Sequence, residues 1–430
     1  MDIRNKNVID SMYHSDLWIK LCKRSKSTLL TEEEIEKINE DNIEKGYIKD
    51  IFKEEELTKE SIEENIRLVS KRPEVDRYRN GTKLCTEYYD KLEENMNLND
   101  LRDCKVEYGI VVKRGKLKTF PTSDRVFKEA KDYELDRFME SAVYIGEPCA
   151  IYSSSRDGKW YFCKTFNCSG WLHSDYIAIG SKDEVQAFSK SKEFIVVTGR
   201  KFLLGYNPFT EALSEESLDM GVRLPLEKDW ERDEVVYDMY TEGSYIVKYP
   251  TRDRFGKLQL THILIPFNEE VHEGYLKCKR YNVLRQAFKF QGERYGWGGE
   301  FEGRDCSSMI VDIFRCFGIY FPRNTGEQLK KSVGKTIYFD ENTQPNEKIK
   351  IIESLRPGAL IYLSGHVAMV VGRYKDKVYI IHDVIGVHIE EDGELIYLPI
   401  RGVTVNSLSN IYTSDKVNYI DAIIGVKDIF

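Results

Sequence analysis

A cysteine at the start of an apolar helix is the position in this 430-residue chain best suited to covalent chemistry. Cys306 is followed by apolar residues at the spacing of one helical face, namely Met309, Ile310, Ile313, Phe314 and Phe317. Asp305 is the predicted N-cap, and the helix is expected to end before Gly318. The positive end of the helix dipole is then expected to lower the pKa of the thiol, which favours a nucleophile. A buried core cysteine that starts an ordinary helix fits the same pattern.

Two histidines further along the chain are expected at the same end of one β-hairpin. An apolar run follows His366, another precedes His382, and a loop at 373–376 would join the two strands. This loop places His366 opposite Asp383, whereas a shift of one residue places the two histidines opposite each other, ~5 Å apart at Cβ. Because side chains alternate along a strand, His382 is a better partner for the first imidazole than Asp383. Such a pair can serve a thiol as base and orienting group, and a strand-end histidine beside a surface histidine without chemistry is the alternative.

Six motifs, taken in order, resemble those of the NlpC-type cell-wall cysteine peptidases, which are papain-like enzymes that cleave bacterial peptidoglycan peptides. They are YGWGG (295–299), DCS (305–307), GIYFPR (318–323), LRPG (355–358), GHV (365–367) and the later His382. Ser308 departs from the family, in which many members have Gly at this position. The resemblance covers the C-terminal third of the chain. It implies that Cys306 is the nucleophile, His366 the general base and His382 the residue that orients the base.

The resemblance also implies a substrate. In the subgroup with SH3-like domains, the usual reaction hydrolyses the bond between γ-D-glutamate and lysine or diaminopimelate in a stem peptide with a free N-terminal L-alanine. Asp305 is the best candidate to face that ammonium group, either in addition to capping the helix or as the cap alone. The other candidate substrate contacts are Tyr295, Trp297, Ser307 and Glu147. Packing around glycine turns explains Tyr295 and Trp297 equally well. Backbone N–H groups at the start of the nucleophile's helix would stabilise the oxyanion, and the sequence does not place a second donor.

The regions upstream of these motifs resemble two bacterial SH3-like barrels behind a helical segment. Short matches to the barrels occur at 146–148, 157–160, 170–171, 221–226 and 273–276. Trp160 and Trp171 are expected in the core of the first barrel. The predicted fold class is α+β, with an N-terminal helical stabilising segment (1–104), a first SH3-like barrel (105–182), a second SH3-like barrel (190–277) and a papain-like cysteine peptidase domain (280–430).

The composition bears on partners, cofactors and location. The chain has 64 Lys and Arg residues against 72 Asp and Glu residues, a net charge of −8, which argues against a general nucleic-acid binder. No apolar run reaches the ~18 residues that a membrane span needs. No secretory signal is recognised at the start, so a cytoplasmic location is expected, or a secreted or cell-wall location if a signal has been removed. The cysteines and histidines lack zinc-site spacing, and neither a metal nor a cofactor is expected.

Three functions are compatible with these patterns. The leading one is a cysteine endopeptidase that acts on peptidoglycan stem peptides. A papain-like amidase or acyltransferase would share the thioester intermediate and differ in leaving group or acceptor. The third is a non-catalytic protein whose SH3-like modules bind cell-wall peptides, and the presence of Cys306, His366 and His382 weighs against it.

Overall fold

The computed structural model describes residues 9–231, 234–268, 270–330 and 332–430, and their mixture of helices and strands confirms the predicted α+β class. The α-helices are α1 (Ser15–Leu21), α2 (Glu32–Glu44), α3 (Lys59–Val69), α4 (Thr86–Asn95), α5 (Lys182–Ser189), α6 (Arg280–Phe288), α7 (Cys306–Arg315), α8 (Thr325–Leu329), α9 (Pro345–Ser354) and α10 (Tyr419–Ala422). The strands are β1 (Glu56–Leu57), β2 (Tyr78–Arg79), β3 (Thr82–Lys83), β4 (Cys104–Lys105), β5 (Glu107–Val111), β6 (Gly115–Lys118), β7 (Met139–Val143), β8 (Pro148–Ser154), β9 (Trp160–Lys164), β10 (Ser169–His173), β11 (Ile177–Gly180), β12 (Phe194–Val197), β13 (Lys201–Leu203), β14 (Ser217–Asp219), β15 (Arg223–Pro225), β16 (Ser244–Arg252), β17 (Leu258–Pro266), β18 (Val271–Glu273), β19 (Lys335–Tyr338), β20 (Leu360–Leu363), β21 (His366–Tyr374), β22 (Lys377–Glu391), β23 (Glu394–Ser407), β24 (Ile411–Tyr412) and β25 (Gly425–Asp428).

The described residues form two compact units. The C-terminal unit contains the described residues up to Ile48 together with Leu276–Gly296 and Phe301–Phe430. The central unit contains Lys49–Tyr275 and Trp297–Glu300. The N-terminal segment predicted at 1–104 therefore contributes to both units. The division into four domains stays a prediction.

In the central unit, seven antiparallel strands form one sheet in the order β11-β5-β8-β9-β10-β6-β7. Trp160 in β9 and Trp171 in β10 are buried, which confirms that both are core residues. The indole N–H of Trp171 donates a hydrogen bond to Ser70 Oγ at 3.1 Å. Both the apolar body and the polar edge of this ring are thus satisfied inside the unit.

The chain between residues 190 and 277 is rich in strands, as predicted. Strand β12 pairs with β15 and β18, β13 pairs with β14, and β16 pairs with β17. All of these pairings are antiparallel. The assignment of this region as a second SH3-like barrel stays a prediction.

The C-terminal unit is built on a seven-stranded sheet in the order β19-β25-β20-β21-β22-β23, with β24 paired to β22. Helix α7 packs against β21 and β22. Its residues from Cys306 to Phe314 are all buried, which confirms the helix predicted from apolar spacing. The chain leaves the helix through Gly318 at φ +75°, and the Ile319 N–H donates to the Phe314 carbonyl at 3.1 Å. This glycine-centred ending is a common way to satisfy the last helical carbonyls.

The turn between β21 and β22 is shorter than the loop predicted at 373–376. It consists of Lys375 and Asp376, which both adopt the left-handed conformation at φ +47° and +63°. A two-residue turn of this kind matches the twist of the strands that it joins. Two-residue turns of this kind usually contain a glycine. The Lys-Asp pair has none, so the sequence did not predict the short turn.

The register of β21 and β22 also differs from the prediction. An irregularity in β21 shifts the pairing, and Met369 pairs with Ile381. Continued to the strand ends, this register places His366 and His382 diagonally. Both predicted pairings of His366, with Asp383 and with His382 directly opposite, are therefore wrong. A β-bulge adds one unpaired residue and has no reliable signature in a single sequence.

Candidate active site

Cys306 is the first residue of α7, and Asp305 caps this helix as predicted. Asp305 Oδ1 accepts a hydrogen bond from the Ser308 N–H at 2.9 Å, and Ser308 Oγ accepts one from the Asp305 N–H at 2.9 Å. This reciprocal capping box fixes the first turn. The Cys306 thiol interacts with the backbone of Val367, which directly follows His366 in β21. The thiol therefore lies at the end of β21 that carries the candidate base.

The Cys306 thiol is protonated at neutral pH. The residue is 7% exposed, and burial raises the thiol pKa to about 12, with a further rise from the Asp305 carboxylate. A hydrogen bond from the Val367 backbone offsets only part of this shift. The expectation that the thiol pKa is lowered is therefore wrong, because desolvation and a neighbouring negative charge outweigh the effect of the helix dipole. The proton must leave as the sulfur attacks.

The two candidate histidines meet through their ring nitrogens. His366 Nε2 lies 3.0 Å from His382 Nδ1, and the ring planes are inclined at 63°. Burial lowers the pKa of His366 to about 3, with a further decrease from His382, and it lowers the pKa of His382 to about 4. Both imidazoles are consequently neutral at pH 7. A neutral imidazole can accept the proton of a thiol.

Asn406 is a residue of this site that the sequence did not reveal. Its Oδ1 lies 2.9 Å from His382 Nε2. In the pairing of β22 with β23, His382 faces Thr404 and Ile380 faces Asn406. Asn406 therefore shares a sheet face with His382, one diagonal step away. The asparagine belongs to none of the recognised motifs, and only the register of β23 could have located it.

Arg323 holds the carboxylate of Asp305. Its Nη1 and Nη2 donate to Asp305 Oδ1 and Oδ2 at 3.1 and 2.7 Å. Nη1 also donates to Ser307 Oγ at 2.8 Å, and that hydroxyl donates to Asp305 Oδ1 at 3.1 Å. The arginine of the GIYFPR motif thus completes the start of α7. Asp305 is the helix cap and the partner of a cation, and its contact with an ammonium group stays a prediction.

A second buried ion cluster surrounds the residue before Asp305. Arg304 donates to both carboxylate oxygens of Glu293 at 2.9 and 3.1 Å and to Asp312 at 2.6 Å.

Asp383 is fully buried, and neither of its carboxyl oxygens has a hydrogen-bond partner among the described residues. Burial raises the pKa of Asp383 well above its ordinary value, and the charges of Asp305 and Glu293 raise it further. Burial and the neighbouring negative charges therefore favour the protonated form of Asp383.

Tyr295 belongs to the same unit as Cys306. Its backbone N–H donates to the Arg401 carbonyl at 3.0 Å, which ties the YGWGG motif to β23. Burial raises the pKa of the Tyr295 phenol well above its ordinary value, and the charges of Asp305 and Cys306 add to this rise. The hydroxyl consequently stays protonated and can donate a hydrogen bond.

Trp297 and Glu147 belong to the central unit. The guanidinium carbon of Arg137 lies 4.9 Å from the centre of the Trp297 ring, which is a cation–π contact. Glu147 is buried, and its Oε2 lies 3.4 Å from the backbone nitrogen of Tyr144. The substrate contacts predicted for Trp297 and Glu147 stay predictions.

Gly298 and Gly299 of the YGWGG motif serve close packing in the central unit. A Cβ on Gly299 would lie 2.4 Å from the Cβ of Ala142, so a larger residue does not fit. The next residue, Glu300, is buried, accepts a hydrogen bond from Lys116 Nζ at 2.8 Å and forms an ion pair with Arg125, whose Nε lies 3.0 Å away. Close packing therefore explains the glycine at position 299, and the choice between substrate contact and packing for Tyr295 and Trp297 stays open.

Two absences concern only the part of the chain that the structure describes. No group of three or more His, Cys, Asp or Glu side chains there is arranged to hold a metal ion. Among the same residues, no helix combines the length and the apolar character that crossing a bilayer requires.

Comparison with known proteins identifies two domains. Residues 124–173 match the SH3 domain of the SH3b1 type, and residues 292–420 match the NlpC/P60 family. No curated protein sequence matches the chain.

Among solved structures, an NlpC/P60 endopeptidase from Photobacterium damselae subsp. piscicida is similar, with 19% identity, 96% of each chain covered and a TM-score of 0.73. An NlpC/P60 family protein from Bacillus cereus matches 68% of this chain and 82% of its own, with 19% identity and a TM-score of 0.46. The first likeness shows a shared fold over nearly the whole chain. The two family models show that the C-terminal part of this chain is an NlpC/P60 domain, which follows an SH3 domain in the same polypeptide.

Proposed function

We propose that this chain is a cysteine endopeptidase that hydrolyses the bond between γ-D-glutamate and a diamino acid, lysine or diaminopimelate, in peptidoglycan stem peptides. Cys306 is the nucleophile, His366 the general base and His382 the residue that orients the base. The observation that carries the proposal is the 3.0 Å contact between the two imidazoles at the end of the strand where the Cys306 thiol meets Val367. The NlpC/P60 domain, whose family consists in general of peptidoglycan-hydrolysing cysteine peptidases, supports the same chemistry.

The pKa directions define the first step. Cys306 is a neutral thiol and His366 a neutral imidazole at pH 7. As the sulfur attacks the carbonyl carbon of γ-D-glutamate, His366 takes the thiol proton. The tetrahedral intermediate collapses, the C–N bond breaks, and the imidazolium returns the proton to the leaving amine of the diamino acid. Water activated by the same imidazole then hydrolyses the thioester and frees the thiol.

The start of α7 provides one donor for the oxyanion. Asp305 occupies the N–H of Ser308, and the first intrahelical bond runs from Met309 to the Asp305 carbonyl. The N–H of Cys306 precedes these bonds and belongs to the first turn, where helical N–H groups lack intrahelical partners. We assign the second donor to the Tyr295 hydroxyl, since the charge of Cys306 influences its pKa and the phenol stays protonated.

The free L-alanine ammonium of the substrate is assigned to Asp305. This carboxylate adjoins the nucleophile, and it already carries Arg323, so the ammonium would share an anion with a guanidinium. Glu147 is proposed as a further ammonium contact on the resemblance alone. Ser307 and Trp297 are proposed as substrate contacts on the same ground.

Product analysis tests the proposal. The unaltered protein is incubated with L-Ala-γ-D-Glu-L-Lys and, separately, with the diaminopimelate tripeptide, and the products are identified by mass spectrometry. Release of L-Ala-γ-D-Glu and free diamino acid is expected. Transfer of the dipeptide to an added amine in place of water would favour an acyltransferase. Binding without any cleavage would favour the non-catalytic alternative.

Acetylation of the substrate's alanine nitrogen tests the ammonium assignment. Cleavage of the acetylated tripeptide is expected to fall at least about tenfold, because the buried carboxylate of Asp305 loses one of its two charged partners, the substrate ammonium group. Equal cleavage of both peptides would remove the role given to Asp305 and leave the rest of the mechanism intact.

A further inference from the structure

Both ring nitrogens of His382 are engaged. Nδ1 lies 3.0 Å from His366 Nε2, and Nε2 lies 2.9 Å from Asn406 Oδ1. His382 is 0% exposed and Asn406 is 1% exposed, so bulk water does not compete for these contacts. The three side chains come from the neighbouring strands β21, β22 and β23 and form one continuous polar path.

The amide oxygen of Asn406 fixes where the protons lie along this path. A carbonyl oxygen only accepts, so Nε2 of His382 carries the hydrogen. A neutral imidazole has one N–H, so Nδ1 of His382 must accept, and Nε2 of His366 must donate to it. His366 then keeps its lone pair on Nδ1.

We propose that Asn406 is a positioning residue of this reaction, which sets the tautomer of His382 and thereby leaves Nδ1 of His366 as the base for the Cys306 proton. The inference rests on the proposed function, in which His366 is that base. The imidazolium formed at His366 keeps its Nε2–H directed at a lone pair of His382. With the opposite tautomer of His382, an N–H would face this cation and the proton transfer would cost more.

Three titratable groups near the pair, Tyr419, Cys306 and Tyr13, are uncharged at neutral pH. The Tyr419 ring centre lies 6.2 Å from that of His366 and 6.0 Å from that of His382. Burial raises the pKa of Tyr419 well above its ordinary value, as it does for the thiol of Cys306. Tyr13, which bonds to Thr404, also has a raised pKa because of burial. A change at Asn406 therefore acts on the histidine pair without removing a charge.

Two substitutions of Asn406 separate its hydrogen bond from its volume. Asn406→Leu nearly keeps the size of the side chain and removes the acceptor. Asn406→Asp keeps an acceptor that cannot donate when ionised. Ser407→Ala is the matched control, since this buried neighbour in β23 contacts Ser409 Oγ at 3.2 Å and lies outside the path.

The tautomers are read directly from proton–nitrogen NMR spectra of the full chain, labelled with ¹⁵N in its seven histidines. The Nε2–H tautomer of His382 is expected in the unaltered protein and in Asn406→Asp. A mixture of tautomers is expected in Asn406→Leu. An Nδ1–H tautomer of His382 in the unaltered, folded protein would overturn the inference whether or not any peptide is cleaved.

Steady-state kinetics on the tripeptide give the second readout. For Asn406→Leu, kcat is expected to fall at least about tenfold while KM changes less than about twofold. For Asn406→Asp, kcat stays within about threefold, and the acid limb of kcat/KM moves to higher pH, because the carboxylate stabilises an imidazolium. Ser407→Ala keeps both constants.

Each remaining outcome decides one of the two claims. A folded Asn406→Leu variant with unaltered kcat and an unaltered pH profile would refute the role of Asn406. If Asn406→Leu does not fold, the NMR spectra of the unaltered protein and of Asn406→Asp decide whether Asn406 sets the tautomer of His382. If the unaltered protein cleaves neither tripeptide, the proposed function fails, and the tautomer spectra still judge Asn406.

Discussion

His366 Nε2 lies 3.0 Å from His382 Nδ1 across two strands whose register does not place these residues directly opposite each other. The contact depends on a diagonal relation between β21 and β22, in which longer side chains can still meet. It joins the candidate base to a buried partner, and through that partner to Asn406. In the proposed mechanism, the reactivity of the thiol therefore depends on three strands as well as on the helix that carries it.

The first prediction concerns the acid limit of activity. Burial lowers the pKa of His366 to about 3 and that of His382 to about 4, so the base stays neutral well below the ordinary histidine pKa of 6.5. Activity is present above these values and is lost as the pH falls through them. We expect kcat/KM at pH 5 to stay within about twofold of its value at pH 7. An acid limb centred near 6.5 would contradict the lowered pKa values.

The second prediction concerns the thiol. Because burial raises the pKa of Cys306 to about 12, the rate of alkylation by iodoacetamide should keep rising from pH 7 to pH 10. Cys85 is exposed and is the comparison site in the same sample, followed by peptide mass spectrometry. A rate at Cys306 that is already at its plateau at pH 7 would show a preformed thiolate.

The third prediction concerns Tyr295. Tyr295→Phe removes the assigned second oxyanion donor, so kcat should fall by about 10²-fold with little change in KM. Tyr412→Phe is the control, because its hydroxyl donates to Glu390 at 3.1 Å and has no assigned part in the reaction. Steady-state kinetics on the tripeptide make the comparison. Equal kcat values for the two variants would remove Tyr295 from the oxyanion site.

The fourth prediction concerns the ion pair at the start of α7. Arg323→Ala leaves the buried carboxylate of Asp305 without its cation, which should lower the free energy of unfolding of the C-terminal unit by about 3 kcal/mol. Arg356→Ala, at a pair with Asp428 whose arginine is 58% exposed, should change it by less than about 1 kcal/mol. Chemical denaturation followed by circular dichroism measures both. If both variants lost a similar amount of unfolding free energy, the buried pair of Arg323 and Asp305 would contribute no more to stability than the exposed pair.

The fifth prediction concerns Asp383. Burial raises its pKa in the folded protein above the value near 3.8 of the unfolded chain, so this residue reduces stability as the pH rises above 3.8. Asp383→Asn should remove this dependence and raise the free energy of unfolding at pH 8 by about 1 kcal/mol. Denaturation midpoints at pH 5 and pH 8 test the sign. If Asp383→Asn gained more stability at pH 5 than at pH 8, the predicted pH dependence would have the wrong sign.

Local pattern was sufficient to predict the helix of the nucleophile. The apolar spacing after Cys306 and the capping residue Asp305 are properties of a dozen consecutive positions, and α7 begins and ends where they predict. The same holds for the choice of His382 over Asp383, which follows from the alternation of side chains along one strand.

Features that depend on distant segments escaped prediction. The Lys375-Asp376 turn and the irregularity in β21 set a register that the sequence of neither strand predicts. Asn406 reaches the site only because β23 pairs with β22. The direction of the thiol pKa also depends on how deeply the folded chain buries Cys306. The position of Cys306 in the helix gives only the sign of the dipole effect, whereas burial decides whether the thiol pKa is raised or lowered overall.

Trapping of the acyl-enzyme is the most direct measurement of whether Cys306 is the nucleophile. The protein is mixed with L-Ala-γ-D-Glu-L-Lys, quenched in acid within milliseconds to seconds, digested and analysed by mass spectrometry, with Cys306→Ala as the control. We predict an L-Ala-γ-D-Glu thioester on the peptide that contains Cys306, and no product from the control. Release of L-Ala-γ-D-Glu by a folded Cys306→Ala variant at the rate of the unaltered protein would contradict this account.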